Sequence, residues 1–180
     1  MTSKLKTDIL ETVSGSGTIA LTNQLSGMTS ASVPSGSVLQ VVSATADAGN
    51  TSTTSVSYVS TGQSLAITLS SSSNKVLVSV SGGMAYCGVF FGGMIETICR
   101  QTSTTYSQSN DLAGSSTGGL TQIFNSSATN SAPHSMSVLD TPNTINPTYQ
   151  VFFRSRTNGR TVYFNEAGHR FTITLMEIKG

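Results

Sequence analysis

The chain is poor in charged residues. Only 9% of its 180 residues are charged, against about 25% in ordinary soluble domains. The net charge is only +1, so the chain is a poor match for nucleic-acid phosphates. Acidic residues are too few for a polyanionic tail. Hydrophobic residues make up 37% of the chain, and with so little net charge they predict a folded domain with one core.

Long apolar runs are also missing. The longest mostly apolar stretch, residues 84–95, falls far short of the ~20 residues that a membrane helix needs. The first ten residues contain Lys4, Lys6 and Asp8 and lead into no apolar run, unlike a signal peptide. We therefore expect a soluble protein that is made in the cytosol and does not insert into a membrane.

Cysteine is scarce, and the two cysteines flank a Gly-Gly pair that favours a tight turn between two strands. A two-residue loop would place Cys87 and Cys99 on opposite faces of the hairpin. A three-residue loop would place them opposite each other on one face. We predict two free, buried thiols, because a cytosolic protein rarely keeps a disulfide.

Few residues are candidates for catalysis or metal binding. Residues 114–118 (GSSTG) fit the nucleophile-elbow pattern formally, but they lack the preceding buried strand and the following helix. His134 and His169 stand alone, without a second ligand at metal-site spacing. Of the carboxylates, only Asp8 and Glu11 lie close along the chain, so a glycosidase pair could form only in space. We predict no catalytic residue, no metal ligand and no cofactor.

The positive signal in the sequence is β-structure. Ser and Thr make up roughly a third of the chain, β-branched residues abound, and apolar residues at helical spacing are mostly missing. Many short strands between turn signals predict an all-β fold, a jelly-roll-like antiparallel β-sandwich. In the last strand the apolar alternation shifts after Leu175, which suggests a bulge. The predicted strands cover residues 37–45, 55–61, 64–70, 75–81, 84–91, 94–100, 120–125, 134–139, 148–156, 160–165 and 170–178; residues 102–119 are a predicted surface loop.

The clearest hairpin signal is Asn158-Gly159. A type I′ turn there would pair Phe153 with Phe164 and gather positive charge beside a tyrosine on the outer face. Such a group could bind partner carboxylates or an acidic surface glycan. The alternative is a solvated strand face or salt bridges between subunits. The candidate contact residues are Arg154, Arg156, Arg160 and Tyr163.

The N-terminal segment differs from the rest of the chain. Its apolar residues are sparse and separated by glycines, so it cannot form a core of its own. We predict an extended attachment arm over residues 1–33 and the β-sandwich over residues 34–180. The predicted contact residues of the arm are Leu5, Ile9, Leu10, Val13, Ile19 and Leu21.

The sequence offers little protection for sheet edges. It has four lysines and four prolines for many strands, although isolated sheets usually protect their edges with these residues. We therefore expect copies of the same chain to cover the edges.

Three stretches resemble tail-fibre and other virion exterior proteins of tailed bacteriophages, especially those of marine and cyanobacterial phages. Residues 53–80 (TTSVSYVSTGQSLAITLSSSSNKVLVSV) resemble a module that recurs in these proteins, residues 4–19 (KLKTDILETVSGSGTI) resemble their start, and residues 172–180 (TITLMEIKG) resemble their last strand. The resemblance implies a virion protein made in the host cytoplasm. It also implies a jelly-roll-like homotrimer that the N-terminal arm fixes to the particle.

The resemblance leaves two structural functions open, because the chain has no long shaft. A short tail fibre or spike would contact host surface glycan through loops at one end, residues 102–119 and 140–148. A capsid decoration protein, such as a cement or head-fibre protein, would bind the phage head and stabilise it. A depolymerase is the enzymatic alternative and would need paired carboxylates in a cleft. We predict a non-enzymatic structural protein whose partners are its own copies, tail or capsid proteins and host surface glycan, but not nucleic acid.

Overall fold

The computed structural model describes residues 33–46, 51–88, 92–114, 117–124, 126 and 129–180. The arm residues Leu5, Ile9, Leu10, Val13, Ile19 and Leu21 lie outside the described residues, so the predicted arm remains a prediction. No α-helix occurs in the described ranges, and none of their helices is long and apolar enough to cross a membrane.

Ten β-strands and two short 3-10 turns make up the described fold. The turns are Gln108–Asn110 and Glu166–Gly168. The strands are β1 (Val38–Ala46), β2 (Thr51–Thr53), β3 (Val59–Ala66), β4 (Lys75–Cys87), β5 (Gly93–Arg100), β6 (Thr121–Phe124), β7 (Asn130–Asp140), β8 (Thr148–Ser155), β9 (Val162–Phe164) and β10 (Phe171–Ile178).

The strands form two antiparallel sheets, which confirms the predicted all-β sandwich. Sheet A has the order β1-β10-β4-β9-β2, with β7 on the other side of β4, and sheet B has the order β3-β8-β5-β6. Without the three-residue strands β2 and β9, eight strands remain, and they alternate between the two sheets except that β5 and β6 are neighbours in sheet B. Sheet A then has the order β1-β10-β4-β7, which together with sheet B is the strand order of a jelly roll with two Greek keys.

The core lies between the sheets and is built by the alternation of side chains along each strand. Sheet A contributes alternate residues of β4 and β10, and sheet B contributes alternate residues of β5 and β8. Burying each of these large apolar side chains stabilises the fold by about 1.5–3 kcal/mol. The central ones are Val76, Val78, Val80, Met94, Ile98, Val151, Phe153, Phe171, Ile173 and Leu175.

The hairpin predicted around Asn158-Gly159 is wrong. Strand β8 pairs with β3 and β5 in sheet B, whereas β9 pairs with β2 and β4 in sheet A. Gly159 alone in this turn has a positive φ, 74°, whereas a type I′ turn needs two such residues. The chain therefore crosses between the sheets here, and the Phe153 and Phe164 rings meet in the core with centroids 5.5 Å apart.

The hairpin predicted around the cysteines is also wrong. Cys87 ends β4 in sheet A, and Cys99 lies on β5 in sheet B. Both thiols are free and buried, as predicted. The predicted strands 75–81 and 84–91 are instead joined in β4, with an irregularity between Gly82 and Ala85. Gly83 has a φ of 65°, and a Cβ there would lie 2.7 Å from His134 Cδ2, so the bulge needs glycine.

Candidate interaction surfaces

In the described ranges, the outer face of sheet A carries exposed side chains, among them Val41 and Leu139. Strand β10 alternates regularly, with Phe171, Ile173, Leu175 and Glu177 turned inward. The bulge expected after Leu175 is absent, because the inward position 177 is occupied by a buried glutamate and not by an apolar residue. Met176 therefore points outward, and the register places residues of three other strands beside it.

One row across this face is apolar. The register aligns Val41 of β1 with Met176, Met176 with Leu77 of β4, and Leu77 with Leu139 of β7. The two ends of the row are exposed, Val41 at 55% and Leu139 at 54%. We call these four residues the apolar row. The exposed Val38 and its partner Ile178 extend it by one step on β1 and β10.

The next two rows of the same face carry only hydroxyl groups. The hydroxyl side chains partly pair with each other: the Thr45 and Thr172 Oγ1 atoms are 3.0 Å apart. No charged residue occupies any of the three rows. The hydroxyl rows are Ser43, Thr174, Ser79 and Ser137, followed by Thr45, Thr172, Ser81 and Ser135.

The outer face of sheet B, in contrast, is covered by the chain itself. Strands β5 and β8 are buried on both faces almost throughout. On the outer face Ile95, Cys99 and Phe152 form a second apolar cluster with Tyr58. The Tyr106 ring stacks on Tyr58 at 4.6 Å and meets Phe152 edge-on at 5.8 Å. The segment predicted as a surface loop thus packs on sheet B, and we call its described residues 101–114 and 117–120 the cover segment.

Asp111 fixes the cover segment to the sheet. Its carboxylate accepts hydrogen bonds from Thr97 Oγ1 at 2.5 Å, Tyr106 Oη at 2.7 Å and the Ala113 backbone N–H at 2.9 Å. Burial and the bond to Asp111 both raise the pKa of Tyr106. Gly119 makes the close approach possible, because a Cβ there would collide with the Glu96 backbone oxygen.

The structure separates the four candidate contact residues. Arg154 is only 8% exposed, and its guanidinium donates to the Thr117 and Val56 backbone oxygens and lies 5.2 Å from the Tyr58 ring centre. The predicted common face therefore does not form.

The other three candidates lie apart from Arg154. Arg156 and Arg160 are exposed in the crossing turn, with the Arg156 guanidinium 4.4 Å from the Phe124 ring centre. Tyr163 lies in sheet A, where its ring contacts Tyr86 at 5.8 Å. Glycan or partner contact through Arg156 and Arg160 remains a prediction.

Four of the five carboxylates in the described ranges are buried, a feature that the sequence analysis missed: Glu96, Asp111, Asp140 and Glu177. Each of them joins segments that are distant along the chain or holds a loop on a sheet. Their spacing in the sequence gives no sign of this, because their partners are brought near only by the fold.

Glu177 fastens the last strand to the loop before β4. Its Oε1 accepts hydrogen bonds from the Ser70 N–H and hydroxyl, both at 2.8 Å, and from Asn74 Nδ2 at 2.6 Å, while Oε2 accepts from Gln40 Nε2 at 2.6 Å. Burial by itself would raise the pKa of Glu177, but the bonds from Asn74, Gln40 and Ser70 outweigh it and hold the pKa below its usual 4.5.

Asp140 joins the ends of β5, β7 and β8. Arg100 Nη1 lies 2.7 and 2.8 Å from the two Asp140 oxygens, and Tyr149 Oη donates to Asp140 at 2.9 Å. Burial and this bond raise the pKa of Tyr149.

Beside Arg100 is an open cleft between the two predicted recognition loops. We call this cleft and its loops the loop end; its lining residues are Arg100, Gln101, Thr102, Thr144, Asn146, Pro147 and Thr148.

Glu96 and His134 form a pair between the sheets. His134 Nδ1 lies 2.8 Å from Glu96 Oε1, and the imidazole stacks on Phe164 with ring centres 4.1 Å apart. Both side chains are buried in the core.

His169, by contrast, is exposed. In the described ranges no three His, Cys, Asp or Glu side chains are grouped to hold a metal ion. Ser115 of the nucleophile-elbow match lies outside the described residues.

No protein-family model matches the chain, and no curated protein matches it. A solved structure of infectious bursal disease virus, Gx strain, aligns with 81% of this chain and 33% of its own, at 17% identity and a TM-score of 0.35. A mutant VP2 protein of that virus, in derived T=1 particles, aligns with 78% and 36% respectively, at 12% identity and a TM-score of 0.35. The chain thus spans about a third of the length of either structure.

Proposed function

We propose that the chain is a non-enzymatic structural protein on the exterior of a tailed-bacteriophage virion. In this proposal it is a homotrimeric short tail fibre or spike, attached by residues 1–33. The observation that carries the proposal is the difference between the two sheets. The chain covers sheet B itself, whereas the outer face of sheet A presents an apolar row and two hydroxyl rows, with Lys75 beside the apolar row. A face of this kind suits assembly with other subunits.

The sequence resemblance supports the same function. Of its three stretches, residues 53–80 include β3 and the first half of β4, and residues 172–180 include most of β10. Strands β4 and β10 are hydrogen-bonded neighbours in the middle of sheet A. The resemblance therefore covers strands of both sheets, because β3 lies in sheet B.

The use of carboxylates supports a non-enzymatic function. Glu177, Asp140 and Asp111 are each occupied by several hydrogen bonds that fasten segments of the fold, and Glu96 is paired with a buried histidine. A glycosidase needs one carboxylic acid and one carboxylate facing a sugar across a cleft. These four groups instead serve the fold.

Host contact is proposed for the loop end. Arg100 Nη1 already contacts both Asp140 oxygens, and the Gln101 amide is bonded to Ser103, Thr105 and Asn110. The cleft therefore offers mainly the amide of Asn146 and threonine hydroxyls. Amide and hydroxyl groups are suited to the hydroxyls of a neutral glycan. The exposed Arg156 and Arg160 provide cations for acidic groups.

A second candidate function is capsid decoration, and the exposed apolar row of sheet A is compatible with it. The apolar row can lie against a capsid surface as well as against another copy. The two functions differ in where the protein sits on the particle.

Immunogold labelling of intact virions, read by electron microscopy, tests the proposal. We expect label at the tail; label over the head would support decoration and contradict the fibre. Absence from every particle would contradict both. A variant without residues 1–33 should keep the β-sandwich, as read by circular dichroism, and lose its place on the virion. If that variant remained on the virion, attachment by the arm would be wrong.

A further inference from the structure

We propose that strand β7 of one copy of this chain pairs with strand β1 of the next copy, so that sheet A continues from copy to copy and closes into a ring of three. The proposal rests on the proposed function, since it names the contact that holds the homotrimer together. Its support comes from the two long edges of sheet A, the side chains on these edges and the width of the sheet.

The two long edges of sheet A are unprotected in the described ranges. Strand β1 pairs only with β10 there, and β7 pairs only with β4. The sequence of β1, VLQVVSATA, has neither charge nor proline, and the single proline of β7, Pro133, lies near the start of the strand. The edges of sheet B are less suited to pairing, because β6 has four residues and β3 is interrupted between Ser60 and Ser64. The edges of sheet A are therefore the better templates for another strand.

The side chains on the two edges match. Strand directions alternate across sheet A, so β7 and the β1 of the next copy would run antiparallel. With the rows level, Leu139 would lie beside Val41 of the next copy, and each of these side chains is more than half exposed in the single chain. On the inner side Val138 would lie beside Val42, and both are only partly buried at the margin of the core. Apolar side chains would thus meet on both faces of the joint, and the hydroxyl rows would continue across it.

The width of sheet A favours three copies. Each copy contributes two different edges, so the contact repeats head to tail until the ring closes. Four strands at about 4.8 Å make a side of about 19 Å, and the centre of a triangle with such sides is about 5.5 Å from each sheet. Packed sheets lie about 10 Å apart, so one layer of side chains needs about 5 Å. Three copies therefore leave room for the side chains around the axis, whereas a square of four would leave a hole roughly 9 Å wide.

The outer face of sheet A is the face that would line the axis of this ring, because the cover segment occupies the outer face of sheet B. The two cations near this face lie at opposite ends of its rows: Lys75 pairs with Ile178, and Arg170 precedes Thr172 by two residues. Their side chains can reach water at the two open ends of the ring. The rows between them would be shielded, among them the apolar row with Met176.

Sedimentation equilibrium of the full-length protein tests the edge pairing. We would compare the wild type, Leu139→Lys, Val41→Glu and the double variant with the control Ile145→Lys, which changes an exposed apolar residue at the loop end. We expect a wild-type trimer and association weaker by about tenfold or more for each single edge variant. The control should associate like the wild type. Because the substituted residues are exposed, all variants should keep the wild-type circular dichroism spectrum.

The double variant tests the register of the joint. Positions 41 and 139 of one copy are three strands apart, about 14 Å, which is too far for an ion pair. The introduced lysine and glutamate can meet only between neighbouring copies, so the double variant should recover most of the association that the single variants lose. A double variant that associates no better than the single ones would overturn the pairing of β7 with β1.

Hydrogen exchange read by mass spectrometry gives a second measurement. In the wild-type trimer the backbone amides of β1 and β7 should be protected, and they should exchange several-fold faster in Leu139→Lys. Fast exchange of both strands in a stable trimer would overturn the edge pairing and leave the homotrimer intact.

The remaining outcomes distinguish this proposal from the proposed function. A monomeric wild type would overturn both the edge pairing and the homotrimer, while virion labelling would still test the location. A wild-type trimer that both single edge variants leave intact would overturn the edge pairing alone. A wild-type dimer would overturn the ring of three. Equal weakening by Ile145→Lys would show a non-specific effect of charge and would also overturn the edge pairing.

Discussion

The two sheets of this jelly roll share one core but differ on their outer faces. Strand β8 of sheet B is buried on both sides, because Tyr58 and the cover segment lie over Phe152. Strand β10 of sheet A is buried only on alternate residues. Sheet B is therefore covered by its own chain, whereas sheet A has exposed apolar residues on its outer face. The difference shows that the same core can support one covered and one exposed outer face.

The largest expected change is in the free energy of unfolding, and it should differ between the two outer faces. Phe152→Ala removes a fully buried ring from the covered face and should lower the free energy of unfolding by about 3–5 kcal/mol. Met176→Ala on the open face should cost about 1 kcal/mol or less in the monomer. Urea unfolding of both variants in the Leu139→Lys background excludes any effect of self-association. Equal costs would contradict the difference between the faces.

The Glu177 carboxylate should stabilise sheet A in a pH-dependent way. In Glu177→Gln, an amide NH₂ would face the Gln40 Nε2 donor, and we expect a loss of about 1–3 kcal/mol at pH 7. Because hydrogen bonds lower the folded pKa below 4.5, this contribution is present above that pH and is lost as pH falls through the folded pKa. Urea unfolding at pH 7 and pH 3 should therefore show the difference between wild type and variant shrinking. A constant difference would contradict this interpretation.

Asp111 should stabilise the covered face by a smaller amount. Asp111→Asn keeps the shape but weakens the bonds from Thr97, Tyr106 and the Ala113 N–H, so we expect a loss of about 1–2 kcal/mol. Thr172→Ala on the open face is the control and should change stability by about 0.5 kcal/mol or less. Thermal unfolding of both variants gives the comparison; a larger loss for Thr172→Ala would show that the open face also has a stabilising role.

The smallest expected effect is a change in the reactivity of the two thiols. It distinguishes local opening of the cover segment from global unfolding. Burial and then Glu96 raise the pKa of Cys87 to about 11, and burial and then Asp111 raise that of Cys99 to about 12. Both thiols should react slowly with iodoacetamide at pH 8. In Asp111→Asn, Cys99 should react faster while Cys87 stays protected in the core. Equal acceleration at both, measured by peptide mass spectrometry, would indicate global unfolding instead.

The sequence predicts the fold class well, because strand alternation is a local signal. Strand β10 is found almost where the alternation of Phe171, Ile173 and Leu175 places it. The partners of strands are predicted poorly. The Asn158-Gly159 pair has the local chemistry of a hairpin, yet core packing sends β8 and β9 to different sheets. A turn signal fixes where the chain bends but not which strands it joins.

The candidate surfaces were only partly predictable for the same reason. The exposed Arg156 and Arg160 follow from local sequence, but Arg154 is buried because residues 117–118 fold over it from a distant part of the chain. The apolar row was not predicted, since Val41, Leu77, Leu139 and Met176 are far apart in the sequence and only the sheet register aligns them.

Oxidation footprinting of methionine tests most directly whether the open face is a subunit contact. Met176 lies in the apolar row, whereas Met136 is buried in the core and serves as the protected reference. In the wild-type assembly exposed to dilute peroxide, we predict that Met176 is oxidised about as slowly as Met136, and several-fold faster in Leu139→Lys. Rapid oxidation of Met176 in a stable wild-type assembly would mean that the face is open to solvent and would contradict the account.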